Sequence, residues 1–184
     1  MELRKVTVGV VHVSGPADGG AVVVLPGSAR SVDDYAEVCE RLHNSGLQTF
    51  VLESIGGVGH EALIAALDEL SLRWVHLVGD DDGADLAWQV AARHFGRVSS
   101  LVVAGHAHPA VAGADGTVLD ATCPAVEVAT TVVLGRGDNR AQAYATGRHA
   151  YSEYRVVELD EVDTVPSQAA AELATEIVLR SNPW

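Results

Sequence analysis

Short apolar runs alternate with helix-length amphipathic stretches along almost the whole of this 184-residue chain. Val6–Val13, Ala21–Leu25, Gln48–Leu52, Trp74–Val78, Ser99–Ala104, Thr130–Leu134 and Tyr154–Leu159 read as strands. Asp33–His43, His60–Leu70 and Asp82–His94 read as helices, and Ser167–Arg180 closes the chain as another, just after Pro166. Ser31 is the expected N-cap of the first helix, and Asn44-Ser45-Gly46 its stop. Leu63, Ile64, Leu67 and Leu70 fall on one helical stripe. Strands joined by helices must run parallel, with the helices packed on the faces of the sheet. The predicted class is therefore α/β, one domain spanning residues 1–184, with a mostly parallel central sheet and helices on both faces. Gly105–Val128, rich in Ala, Gly and Pro, joins two strands without a long helical pattern.

Composition agrees with this class and excludes several functions. Aromatic residues are 5% of the chain and hydrophobic residues 48%, so Val, Ala and Leu must build the core. Such a core suits a sheet buried on both faces. A chain of this length buries roughly 70% of its unfolded surface and needs no staples. The net charge of −13 argues against nucleic acid and against an anionic membrane surface, since both call for clustered Lys and Arg. Cys39 and Cys123 stand far apart with no C-x-x-C, which fits reduced thiols and a cytoplasmic location. The first apolar run is too short for a signal-peptide core, and no run reaches the ~18 apolar residues of a membrane helix. Gly56-Gly57-Val58-Gly59 lacks the Gly-Lys-Ser/Thr ending of a phosphate loop and follows Glu53. No cofactor is expected.

In open parallel sheets, ligands bind at the carboxyl ends of the strands. That rule selects Pro26-Gly27-Ser28, Glu53, Asp80-Asp81-Asp82, His106 and His108, Asp138, and Asp160 with Asp163. The sharpest signal among them is Gly79-Asp80-Asp81-Asp82-Gly83, wedged between a strand and a helix. Flanking glycines allow a turn tight enough to project the middle side chain, Asp81, from the top of the sheet.

Four segments, in order, carry a resemblance to a known family. They are Leu25-Pro26-Gly27-Ser28, Leu72–Gly79 with Asp81-Asp82-Gly83-Ala84, Ala91–Val98, and Val132–Asp138. Together the chain resembles the α/β-hydrolase superfamily along nearly its whole length. The resemblance places Asp81 at the nucleophile position and Asp138 at the acid position. It places the backbone N–H groups of Asp82 and of Gly27 or Ser28 in an oxyanion hole. An aspartate nucleophile is that of haloalkane dehalogenases and epoxide hydrolases, where a carboxylate attacks carbon and leaves an ester on the enzyme.

The chain departs from that pattern in three ways. The loop after the last strand, Asp160-Glu161-Val162-Asp163-Thr164-Val165, holds no histidine, and His149 precedes that strand, which predicts a place near the opposite edge of the sheet. No lid domain fits between Ser99–Ala104 and Thr130–Leu134. Three adjacent aspartates repel one another and any oxyanion beside Asp82. The leading expectation is a lidless scaffold with a degenerate triad, non-catalytic or weakly active, binding a small molecule or a protein. The alternative is a hydrolase of the ester, epoxide or haloalkane class, with Asp81 as nucleophile or base and His106 or His108 recruited. Other readings stay open at single residues. Asp138 also suits a turn that caps the following helix. His106-x-His108, with Asp81 or Asp82, has metal-ligand spacing if extended, set against a plain surface pair, and no metal is assigned. His60 suits a helix start or a surface position. Gly105–Val128 could cover a symmetric interface in a homo-oligomer.

Overall fold

The computed structural model describes residues 1–181. β1 (Glu2–Val6) and β2 (Gly9–Ser14) form an antiparallel hairpin. The continuous strand expected over Val6–Val13 is thus broken. Gly9 takes φ +122° and reverses the chain, and Glu69 anchors the turn by accepting from the Thr7 backbone N–H and hydroxyl. β3 (Gly20–Leu25) leads through a 3-10 turn (Val32–Tyr35), which directly follows Ser31, into α1 (Ala36–Asn44). β4 (Leu47–Leu52), α2 (His60–Glu69), β5 (Val75–Asp80), α3 (Asp82–Arg93) and β6 (Val98–Ala104) follow. β7 (Ala129–Leu134), α4 (Arg140–Thr146), β8 (Tyr154–Glu158), α5 (Val165–Gln168) and α6 (Ala170–Ser181) complete the order. The closing helix is in two pieces, since Ala169 leaves the helical region at φ −133°. α4 is a helix that the apolar periodicity did not show. Asn139, not Asp138, caps it by accepting from the Gln142 N–H at 3.1 Å.

The strands form one eight-stranded sheet in the order β1-β2-β4-β3-β5-β6-β7-β8. β2 pairs antiparallel with β4, and every pairing from β4 through β8 is parallel. One core layer sets Leu63 and Leu67 of α2 and Ala87, Trp88 and Ala91 of α3 against the sheet. The other sets Val38 and Leu42 of α1 and Leu173 and Ile177 of α6 against the opposite face. The register matters most at the carboxyl ends. Leu25 lies beside Gly79, Asp80 beside Ala104, and Ala104 beside Val133. The loops after β3, β5, β6 and β7 therefore emerge side by side. Among the described residues no helix is long and apolar enough to cross a membrane.

Two glycines allow α3 to start against β3. A Cβ on Gly83 would sit 2.1 Å from the Leu25 carbonyl oxygen, and one on Gly79 would sit 2.6 Å from the Gly83 carbonyl oxygen. Both obstacles are main chain, so neither can swing aside. Gly83→Ala should destabilise the protein by about 3 kcal/mol, the upper range for overpacking. Urea denaturation checks this: the midpoint should fall with an unchanged slope. An unmoved midpoint would show that β3 and α3 can separate at no cost.

Candidate active site

The turn between β5 and α3 forces Asp81 into an unusual backbone conformation, φ 55° and ψ −126°. Backbone strain of this kind costs about 1–3 kcal/mol at a non-glycine residue and persists only where its surroundings impose it. The Ala84 N–H donates to the Asp81 carbonyl at 2.9 Å and closes the turn. The Asp81 side chain stands half-exposed above the sheet, as its position between two glycines predicts. α3 starts at the next residue, so Asp85 lies one turn further along, on the same side as Asp81.

His106 enters this space from the neighbouring strand. β6 ends at Ala104, and Gly105 turns the chain at φ +81°, its N–H donating to the Val133 carbonyl. The buried Trp88 indole fixes the next peptide by donating to the His106 carbonyl at 3.1 Å. The imidazole then spans two carboxylates. Nε2 lies 3.1 Å from Asp81 Oδ1, and Nδ1 lies 2.9 Å from Asp85 Oδ1. The hydrogen bond to Asp85 holds the ring's pKa above its usual value against the opposing effect of burial, and the charges of Asp85 and Asp81 add to the rise. The ring nitrogen beside Asp81 thus comes from the loop after β6. Asp85 escaped the sequence reading. Its signal was the i,i+4 spacing from Asp81.

His108 does not join the site. It is buried; its Nε2 donates to the Pro124 carbonyl at 2.9 Å, and its Nδ1 accepts from the Ala110 N–H at 3.2 Å. Burial drives its pKa down to about 4. With both nitrogens on main chain, His108 is neither a recruited base nor half of a His-x-His ligand pair. Among the described residues no three His, Cys, Asp or Glu side chains are gathered to hold a metal ion. His149 stacks on the His108 ring, 4.7 Å between centroids and 4° from parallel, and its carbonyl accepts from the Val126 N–H, so it packs against the Gly105–Val128 segment. His60 pairs with His94, ring nitrogens 2.9 Å apart.

The other candidates converge without forming the expected pairings. Asp138 accepts from the Gly135 N–H at 2.7 Å, and among the described residues no hydrogen bond or ion pair joins it to His106, although the charge of His106 acts on it. Burial, reinforced by the charges of Asp80 and Asp81, raises its pKa. The expected oxyanion donor Ser28 is already engaged: its N–H donates to Asp82 Oδ1 at 2.6 Å. Asp80 is buried beneath the turn, and its Oδ2 accepts from Arg30 Nε at 2.9 Å and from the buried Tyr35 hydroxyl at 3.1 Å. Arg30, Asp80, Asp81, His106, Asp138 and Asp163 line a cavity of about 200 Å³ directly over Asp81. A second cavity, about 320 Å³, continues from Gly105 and His106 along Val111 and Leu119. The Gly105–Val128 segment thus walls the site on one side in place of a lid.

No family model matches the sequence, and no curated protein matches it. Solved structures do. The enol-lactonase of Burkholderia xenovorans LB400 superposes with a TM-score of 0.78 at 14% identity, covering 98% of this chain and 99% of that one. A loop variant of a haloalkane dehalogenase from Bradyrhizobium elkanii gives 0.74 at 13% identity, covering 98% and 96%. Epoxide hydrolase A of Mycobacterium thermoresistibile gives 0.73 at 11% identity, covering 97% and 98%. The chain has the α/β-hydrolase fold, in the strand order set out above.

Proposed function

We propose that this α/β-hydrolase-fold chain is a hydrolase in which the Asp81 carboxylate attacks a neutral, saturated carbon. The observation that carries the proposal is the line Asp81–His106–Asp85, with contacts of 3.1 and 2.9 Å. A carboxylate next to an orientated imidazole has the parts needed for two-step covalent hydrolysis. Asp81 attacks carbon, the bond to the leaving group breaks with its electron pair, and an ester forms on Asp81. Esterification removes one of the two negative charges that hold the proton on His106. The imidazole then releases its Nε2 proton to solvent at the stage where a base is needed. Water attacks Cγ of Asp81 and gives one proton to Nε2, the alcohol leaves with that proton, and the carboxylic acid so formed passes its remaining proton to Nε2, which restores the carboxylate and the charged ring. Acyl substrates fit less well, since a carboxylate attacking an ester must expel a far more basic alkoxide. Haloalkanes meet the requirement through a weakly basic leaving group and epoxides offset it through ring strain, and two of the superposed structures are enzymes named for those substrates.

The test is direct. Purified protein should release product from small haloalkanes or epoxides, and Asp81→Asn, folded, should not. Lack of turnover on haloalkanes, epoxides and activated esters alike would count against the enzyme. It would favour a second reading, a ligand-binding member without hydrolysis. The contact that favours this second reading is the Asp82 carboxylate on the Ser28 N–H, where an oxyanion would need to bind.

pH dependence follows from His106. Its pKa is raised, so the charged ring predominates at acid pH and the neutral base appears only as pH rises through that raised value. The rate of the hydrolytic half-reaction should climb with pH along a single titration. Asp85→Asn removes the largest cause of the rise, so it should move the midpoint to lower pH and reduce the maximal rate. A midpoint unmoved by Asp85→Asn would separate the profile from His106.

A further inference from the structure

We infer that Arg30 is a catalytic residue of this site: its guanidinium receives the leaving group as a free anion, so the substrates are those that depart as halide or a comparably stable anion. The inference rests on the carboxylate-attack reading above and deepens it.

Alkylation of Asp81 moves negative charge onto the departing atom, and preorganised donors must meet that charge. The backbone donor at Ser28 is occupied by Asp82. Of the cavity's two cationic side chains, His106 is held at both nitrogens by Asp81 and Asp85. Arg30 is the other. It faces the cavity beside Asp81, near enough for that carboxylate to raise the guanidinium's pKa. Its Nε bonds to Asp80, while its terminal nitrogens make no hydrogen bond to another described residue. A guanidinium presents five N–H donors in a fixed fork, so four remain for an anion.

The group is also held in place. Asp80 grips Nε and is itself held by the Tyr35 hydroxyl, and the Arg30 N–H donates to the Gly27 carbonyl at 2.9 Å. Asp80 offsets part of the Arg30 charge through their 2.9 Å ion pair but leaves the terminal N–H groups as donors. Asp81 is paired with His106, Asp138 accepts from the Gly135 N–H, and Asp163 pairs with Arg136 at 3.7 Å on the rim. An arginine keeps its protons, so it can accept a charge but cannot protonate an alkoxide. The substrate choice follows. The carbon–halogen bond breaks, its electron pair leaves with the halide, and the halide rests on the terminal N–H groups with no proton transfer. An opening epoxide would still lack its proton.

Two measurements test this together. The first is equilibrium binding: titrate the wild-type protein with bromide at constant ionic strength and follow the arginine Nε–H resonances by NMR. The Arg30 resonance should shift saturably while that of the exposed Arg41 does not. An Arg30 resonance that stays still overturns the inference. The second is turnover of 1-bromobutane, 1-chlorobutane and 1,2-epoxybutane by wild type, Arg30→Gln and Arg30→Lys. Arg30→Gln should lose about 10²- to 10³-fold in kcat, the loss typical of one charge-stabilising donor. The loss should be greater for chloride than for bromide, the better leaving group. Arg30→Lys keeps a cation beside Asp80 should the glutamine variant fail to fold. It should also be slow, since one ammonium must serve both Asp80 and the halide. Wild-type rates in both variants, with Asp81→Asn inactive, overturn the role of Arg30 and leave the carboxylate mechanism standing. Saturable bromide binding with no turnover of any substrate supports the anion subsite and rejects that mechanism.

Discussion

Asp82→Ala should raise the rate at which the Asp81 ester is hydrolysed by about 10²-fold. When water adds to that ester, negative charge gathers on the Asp81 carbonyl oxygen, and donors must be aimed at it. In the proposed mechanism these donors are the Asp82 and Ser28 N–H groups, at the turn before α3 and the loop after β3. The Asp82 carboxylate fills the place by accepting the Ser28 N–H at 2.6 Å. Its charge also opposes the oxyanion. Truncation at the Cβ removes both obstacles without touching the backbone. The size of the gain is the known cost of losing one such donor, about 10²- to 10³-fold, taken in the opposite direction. A cost in stability should accompany it. Asp82 opens α3, where a negative side chain favours the helix dipole by about 0.3–1 kcal/mol. The variant should thus melt slightly lower and work faster, a common exchange at active sites. Rapid quenching after a single turnover, with the alkylated chain followed by mass spectrometry, reads the step by itself. An ester that decays no faster than in wild type would show that the Ser28 N–H has no part in the reaction.

The fold was legible because its strands are buried runs with little ambiguity. Val22, Val23 and Val24 of β3, and Leu101, Val102 and Val103 of β6, face helices on both sides, and no other element type accommodates such runs between turn signals. The turn at Asp81 was legible because two glycines at fixed spacing have a steric reason: a Cβ on either would strike main chain. Other features were hidden for reasons equally physical. The Thr7-Val8 turn carries no helix or strand breaker of its own, and the reversal depends on Gly9 and on a carboxylate 62 residues away. α4 is short and buries only Ala143 and Thr146, too little apolar surface to leave a period. The candidate site was half visible. The rule of strand carboxyl ends selected Asp81, His106 and Asp138. Which imidazole reaches which carboxylate depends on strand neighbours, and the pairing of β5 with β6 is a tertiary fact. Asp85 and Arg30 were overlooked because one lies within a helix and the other in a loop whose partner, Asp80, is 50 residues distant.

His106→Gln should stop the reaction halfway. The proposed mechanism gives His106 no part in the attack on carbon, so its removal frees Asp81 from an ion pair and leaves alkylation intact. The hydrolytic half then has no base. Loss of a positioned acid–base group costs about 10²- to 10⁴-fold, and the whole loss should fall on this step. Under a haloalkane the variant should release one equivalent of halide in a burst, then almost none. Its mass should rise by the alkyl group, and fragmentation should place the increment on Asp81. Two alternatives predict different records. If Asp81 acts as a general base on water instead of a nucleophile, no alkylated chain appears at any time. If another group near the cavity supplies the base, turnover continues after the burst, and Asp138 is the group to replace next. Glutamine suits the experiment because its amide can still bond Asp85 or Asp81, so the loop after β6 keeps its position while proton transfer is lost. A burst that matches the protein concentration, followed by a stable mass adduct, would tie the 3.1 Å contact between His106 and Asp81 to the chemistry.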